Sequence, residues 1–182
     1  MKIELALYAT ILGSIVALFY AMLRTKWIFK KPIENEKLKQ INGFVADGAM
    51  AFLAREYKTL IPFVLIVSAF LLVANQGYIK LQAAAFLIGA ICSALAGYIG
   101  MKVATAANAR TTTAAAETGL TDALKIAFAG GSVMGMSVVG LALLGLFIVL
   151  LGGIAILGDS VAMLSGTILP VASGFSLGAS SI

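Results

Sequence analysis

No histidine occurs anywhere in the 182 residues, which removes the commonest general base and the commonest metal ligand. Cysteine occurs once, as Cys92 in the middle of an apolar run. An intrachain disulfide is therefore excluded, and a small buried hydrophobe is its expected role. Charge is scarce too. Only 12% of the residues are Asp, Glu, Lys or Arg, about half of what a soluble domain carries. A water-facing surface cannot be assembled from so few polar side chains, so lipid must cover much of this one. No phosphate loop, dinucleotide fingerprint, HExxH helix or paired CxxC is present. Residues 174–178 (GFSLG) match the G-x-S-x-G nucleophile elbow. That motif needs a strand-to-helix turn and a histidine base, and here it lies inside an apolar run of a chain without histidine.

What the chain has is hydrophobic length: 61% hydrophobic residues and a mean hydropathy of +1.04. Five uncharged runs, 5–23, 59–79, 81–101, 126–158 and 160–182, meet or approach the ~20 residues that a helix needs to cross a bilayer. They lack the alternation of β-barrel strands, which are only about 9–11 residues long. The fold class is therefore all-α integral membrane, with about five transmembrane helices. The fourth run would extend about 50 Å as a helix, well past a ~30 Å core, so it must tilt or protrude. The first run has no basic start beyond Lys2 and no clear small-residue cleavage site before Arg24 and Lys26, so it reads as an uncleaved span. None of the five runs holds an acid or base, the usual marker of an ion pathway.

The few cations are placed unevenly. Arg24, Lys26, Lys30, Lys31, Lys37, Lys39, Arg55 and Lys58 follow the first run, and Lys102, Arg110 and Lys125 follow the third. The opposite side has only Lys2 and Lys80. By the positive-inside rule the N-terminus lies outside, and loops of about 24–58 and 102–125 lie in the cytoplasm. The last run then starts outside, near Asp159. The net charge of +5 is thus a topology signal, and no nucleic-acid partner is expected.

Within the loops, 37–58 reads as a cytoplasmic helix leading into the second span, with Ile41, Phe44, Gly48 and Phe52 on one face. Pro62 would kink a helix continuous from it. Asp47, Arg55 and Glu56 read as a solvated or interhelical ion-pair face in preference to a substrate cluster. Thr121 reads as an N-cap, with Asp122 in the first turn that follows. Gly131-x-x-x-Gly135 and Gly174-x-x-x-Gly178 are small-xxx-small pairs of the kind that let helices approach closely. Ser173, Ser176 and Ser180 share one face of the last helix. Two readings of them stand: hydroxyls bonded to their own helix backbone, or a polar pathway.

Four stretches, taken in order, resemble membrane-bound, ion-pumping inorganic pyrophosphatases: 48–58 (GAMAFLAREYK), 97–110 (GYIGMKVATAANAR), 127–140 (AFAGGSVMGMSVVG) and 174–182 (GFSLGASSI). The resemblance runs from about Gly43 to the end; the first span fits by position and topology alone. It implies a fold of about sixteen transmembrane helices in two concentric rings, with spans one to four in the outer ring and span five opening the inner ring. It implies a homodimer that hydrolyses magnesium-bound diphosphate and drives H+ or Na+ outward, with potassium a candidate second cation. The expected location is the inner (plasma) membrane of a prokaryote. The family's arginine in the fifth helix, its GGGIYTK stretch and its Asp- and Lys-rich metal–diphosphate motifs have no counterpart in these residues. The expectation is therefore an N-terminal part of such a pump, spanning 1–182, with no catalytic residue, metal ligand or cofactor-binding residue of its own and inactive alone. One residue carries over: Ser180 corresponds to a serine beside the family's inner-ring ion gate. The alternative reading is a small non-enzymatic membrane scaffold, assembly factor or oligomeric channel.

Overall fold

The computed structural model describes residues 2–158 and 160–181, and the side chains of all of these except 2–4 and 161. The expected external start at Asp159, and Ile182 at the end of the last matching stretch, lie outside the described residues.

Helix α1 (Lys2–Phe29) carries the first apolar run and the basic segment after it. It stops just before Pro32, whose ring disfavours helix in the residue ahead of it. Asn35 opens α2 (Glu36–Ala74), its Oδ1 accepting from the amide of Leu38 at 3.0 Å, as an N-cap side chain does. This helix of 39 residues passes through Pro62 without interruption, so the expected cytoplasmic helix and the second span form one element. After a single 3₁₀ turn (Gly77–Lys80), α3 runs over Leu81–Glu117 and α4 over Leu120–Leu157.

The turn between α3 and α4 differs from the expectation of a long loop with Thr121 as cap. Residues 102–117 continue α3, and Gly119 makes the turn at φ +98. Its N–H donates to Ala114 O at 2.9 Å and its own carbonyl accepts from Ala123 N at 3.2 Å. One left-handed glycine thus closes one helix and starts the next, a conformation other residues rarely take. Thr121 lies inside α4, so it is not the cap. The alanine- and threonine-rich stretch stays helical because its threonine hydroxyls fold back onto carbonyls four residues earlier: Thr112 to Asn108 at 3.1 Å and Thr113 to Ala109 at 3.0 Å.

Gly158, at φ +82, ends α4, its N–H bonded to Ile154 O at 2.8 Å. Ser160 then caps the last helical segment, its Oγ accepting from Met163 N at 3.3 Å. That segment comprises α5 (Val161–Met163), one π-helical turn (Leu164–Ile168) and α6 (Leu169–Ala179). The π turn ends two residues before Pro170, which supplies no amide for an ordinary helical bond back to Gly166 within that turn. Among the described residues, four helices are long and apolar enough to cross a membrane, and Leu164–Ala179 is a shorter apolar one. The fifth element is therefore a shorter helix than the run of 160–182 suggested.

The chain divides into two compact units. Unit 1 is Met1–Ile15, Tyr57–Leu95 and Gly140–Ile182; unit 2 is Val16–Glu56 and Ala96–Val139. Unit 2 is packed around Ala21, Ile28, Val103, Ala107, Ile126 and Val133. A Cβ on Gly130 would sit 3.0 Å from that of Ala107, so small residues set the α3–α4 spacing here. Unit 1 is packed around Ala85, Val149, Val171, Ala172 and Phe175. Its helices are also tied by hydroxyls: Ser14 Oγ, fully buried, donates to Gly140 O at 2.8 Å, and Tyr57 OH to Ala94 O at 2.7 Å. The apolar window of α2 is only 6% buried, against 33% for that of α3. Phe63, Leu65, Ile66, Phe70 and Val73 of α2 are exposed, as suits a helix whose outer surface meets lipid.

Candidate functional site

The last helix is divided lengthwise. Val171, Ala172, Gly174, Phe175 and Gly178 of α6 are buried, whereas Ser173, Ser176, Leu177 and Ser180 are exposed. The buried stripe lies on α3 at backbone contact. A Cβ added at Gly178 would collide with the Phe86 carbonyl oxygen, and one at Gly89 would collide with that of Phe175. A Cβ at Gly174 would meet Gln82 Cγ and the Gln82 carbonyl, both at 2.5 Å. The three glycines are what allow this crossing. Phe175 fills the space left by a fourth, Gly145 on α4, whose Cβ would also stand 3.0 Å from Cys92 Sγ. Cys92 is partly buried against this core, a packing position.

The two small-xxx-small pairs behave differently. Gly174 and Gly178 lie in the crossing, whereas a Cβ at Gly131 or Gly135 would meet nothing within 4 Å. Equal spacing in sequence thus corresponds to one filled contact and one open face.

Both readings of the serines have something to show in the geometry. Ser180 Oγ donates to Leu177 O at 3.1 Å and Ser173 Oγ to Pro170 O at 2.6 Å, the bonding of a hydroxyl to its own helix. Both hydroxyls nonetheless lie on the exposed side. Ser180 is the C-cap of α6, and Ser181 Oγ donates to the same Leu177 carbonyl at 2.7 Å. Ser173 also accepts from Gln82 Nε2 at 3.2 Å, and Gln82 Oε1 accepts from Asn75 Nδ2 at 2.7 Å. Neither amide stands out in sequence, because each sits at the margin of an apolar run.

The charged residues gather in unit 2. Arg110, on α3, closes the end of α1: Nε donates to Lys31 O at 2.9 Å, Nη2 to Phe29 O at 3.4 Å and Nη1 to Ala106 O at 2.6 Å. Its guanidinium also lies 5.3 Å from the Phe29 ring centre. Burial lowers its pKa, though an arginine remains charged near neutral pH. Trp27 packs against the unit 2 core between Arg24 at 5.9 Å and Lys31 at 5.0 Å. Asp122 pairs with Lys125 at 2.7 Å, and that ammonium group holds its carboxyl below the ordinary range. Asp47 and Arg55 of the expected ion-pair face are exposed and Glu56 is half-buried. Among the described residues, no group of three or more His, Cys, Asp or Glu could hold a metal ion. The described residues therefore offer no such cluster to the magnesium that the family resemblance implies.

With no strand among the described residues and four apolar helices of membrane-crossing length there, beside a glycine-packed shorter one, the chain is a multi-pass helical membrane protein. Residues 15–182 match the family model described as inorganic H+ pyrophosphatase, and the chain belongs to that family. It is 45% identical, over 70% of its length, to a putative K(+)-stimulated pyrophosphate-energized sodium pump of Clostridium tetani, covering 18% of that protein. It is 41% identical, over 78% of its length, to a K(+)-insensitive pyrophosphate-energized proton pump of Methanosarcina mazei, covering 21% of it. Identity is also 41% over 75% of the chain to a K(+)-stimulated pyrophosphate-energized sodium pump of Thermotoga maritima, of which 19% is covered. The chain thus spans about a fifth of the length of these relatives.

Proposed function

We propose that the chain forms part of the membrane-embedded frame of a pump that couples hydrolysis of inorganic diphosphate to outward movement of H+ or Na+. In this reading α1 to α4 stand in an outer ring, and α6 stands in an inner ring with Ser180 beside the ion gate. An outside N-terminus, a homodimer, magnesium-bound diphosphate as substrate, potassium as a second cation and a prokaryotic plasma membrane belong to the same reading. The family match supports it, and one structural observation carries it to particular residues: α6 buries glycine and Phe175 against α3 and leaves three hydroxyls on its open side. Ser173 and Ser180 bond to their own backbone and Leu169 and Leu177 share the face, yet three hydroxyls in a row give that side polar atoms that suit a neighbouring helix or a hydrated path.

The test is a chimera in which residues 15–182 replace the matching segment of the Thermotoga maritima sodium pump, assayed in inside-out vesicles. Diphosphate should drive ion uptake, and Ser180→Leu should abolish uptake while leaving measurable hydrolysis. Full uptake by the Ser180→Leu chimera would refute the placement of Ser180. Separately, the 182-residue chain with magnesium and diphosphate should release no phosphate, and turnover above background would refute the claim that its residues are not catalytic.

A further inference from the structure

The hydrogen bonds around Gln82 form one directed chain across three helices of unit 1. Asn75, just past the end of α2, donates to Gln82 Oε1 at 2.7 Å; Gln82, in the first turn of α3, donates to Ser173 Oγ at 3.2 Å; Ser173 donates to Pro170 O at 2.6 Å. Each group has one defined role, and the chain ends on a carbonyl in the first turn of α6. The neighbouring residue, Gly174, rests against the Gln82 side chain and carbonyl. A bond at 173 and a backbone contact at 174 together fix how far α6 is rotated about its axis, because successive helical residues point about 100° apart.

The segment just before this anchor is the π turn at Leu164–Ile168, where the amide of Leu169 bonds to Leu164 O. Such a turn interrupts the regular ladder just ahead of α6. The rotation of α6 is set by what packs on it: the glycine crossing with α3, and α4, where Phe175 fills the space at Gly145. The glycine contacts at Gly89 and Gly178 fix how near α6 lies, and Gln82 is a polar group of α3 with a bond to α6.

We propose that Gln82 is a positioning residue: with these packing contacts it fixes the rotation of α6 and so the direction in which Ser176 and Ser180 face. The latch stands on the geometry alone. Its importance for ion movement rests on the pump reading above.

The test uses the 182-residue chain in phosphatidylcholine–phosphatidylglycerol vesicles, with Cys92→Ala as background and a single new cysteine at Ser176 or at Ala172. The first position is exposed and the second buried, so the ratio of their N-ethylmaleimide labelling rates reports the rotation of α6. Gln82→Leu, which keeps the bulk and removes the bonds, should lower that ratio roughly threefold, the population change that one intramembrane hydrogen bond supports. Ser173→Ala breaks the same bond from the other side. It should have the same effect, and the double variant should be no worse than either single one. Circular dichroism identifies any variant that has lost its helices, and Ser173→Ala then carries the test. An unchanged ratio in folded Gln82→Leu and Ser173→Ala would overturn the proposal. In the chimera, Gln82→Leu should lower the ions moved per diphosphate hydrolysed. An equal fall in pumping and hydrolysis would assign Gln82 to general stability and refute the positioning role. A chimera inactive before any substitution would refute the pump reading and leave the labelling result standing.

Discussion

A single methyl group added at Gly178 should separate α3 from α6, and the same methyl at Gly135 should not matter. The Cβ of alanine at 178 would overlap the Phe86 carbonyl oxygen and lie 2.8 Å from its carbonyl carbon and 3.0 Å from Ala90 N. All three are backbone atoms, so no rotamer change relieves the clash, and the helices must move apart by roughly 1 Å or more to reach normal carbon–oxygen spacing. A radial gap of that size forfeits about a quarter to a half of the dispersion energy along the contact. Overpacking of this kind costs about 1–3 kcal/mol. The better helix propensity of alanine returns about 0.5–1 kcal/mol. The net expectation is a loss of about 1–2 kcal/mol on these scales.

Gly89→Ala, pressed on Phe175 O and with Ala179 N at 2.7 Å, should cost about the same. The double variant should cost less than the sum, because the first methyl already opens the crossing. Gly135→Ala has open space around it, so it keeps the propensity gain and should be neutral or slightly stabilising. Reversible unfolding by dodecyl sulfate in mixed micelles measures all four variants on one scale. Gly178→Ala matching the parent, or Gly135→Ala losing as much as Gly178→Ala, would refute a glycine-dependent backbone contact between α3 and α6.

The remaining expectations concern smaller contacts. Arg110→Leu removes the donors that close α1 at Phe29 O and Lys31 O and should cost about 1–3 kcal/mol; faster amide exchange confined to residues 26–31 and the α3 turn facing them would show it, and unchanged exchange there would contradict it. Ser14→Ala removes a buried interhelical bond to Gly140 and should cost about 0.6 kcal/mol and no more than about 1.7, the range for hydrogen bonds between membrane helices; the same unfolding assay reads it. Because Lys125 lowers the Asp122 pKa, the carboxylate contributes above its unfolded pKa, near 3.9, and that contribution is lost as pH falls through the lower folded value. Asp122→Asn should therefore remove one component of acid sensitivity below about pH 4 while changing little at neutral pH; an acid titration of unfolding in parent and variant compares the two.

Hydropathy made the class of protein legible because every long helix here carries enough apolar residues to be read without knowing its neighbours. The internal organisation was harder to read. Residues 102–117 look like a loop by composition, since threonine, alanine and a few charges interrupt the apolar run. They are helix because the threonine hydroxyls return to their own backbone and the true stop signal is Gly119, a single residue whose φ of +98 no composition window detects. Thr121 lost the cap for the same reason, as the preceding glycine had already turned the chain. The last run read as a full span because apolar length is visible, whereas the π turn before Pro170 arises from a missing amide and its neighbours.

The candidate site shows the same limit more sharply. Spacing placed Ser173, Ser176 and Ser180 on one face, which the structure leaves exposed. Spacing could not say which of two identical glycine pairs meets a partner, because that depends on what stands opposite. At Gly178 it is the Phe86 carbonyl; at Gly135 it is nothing within 4 Å. Gln82 was invisible on the same grounds: a lone amide at the edge of an apolar run reads as an interfacial residue until Ser173 is found 3.2 Å away. The side of α6 that could be read from sequence is the side facing away from α3, and the side that fixes it in place depends on α3. A helix held this closely on one side, and exposing three hydroxyls beside Leu169 and Leu177 on the other, is oriented by the first and presents the second to a neighbour. This dependence makes Gln82 and Gly178, rather than the serines themselves, the sharper places to test whether the face matters.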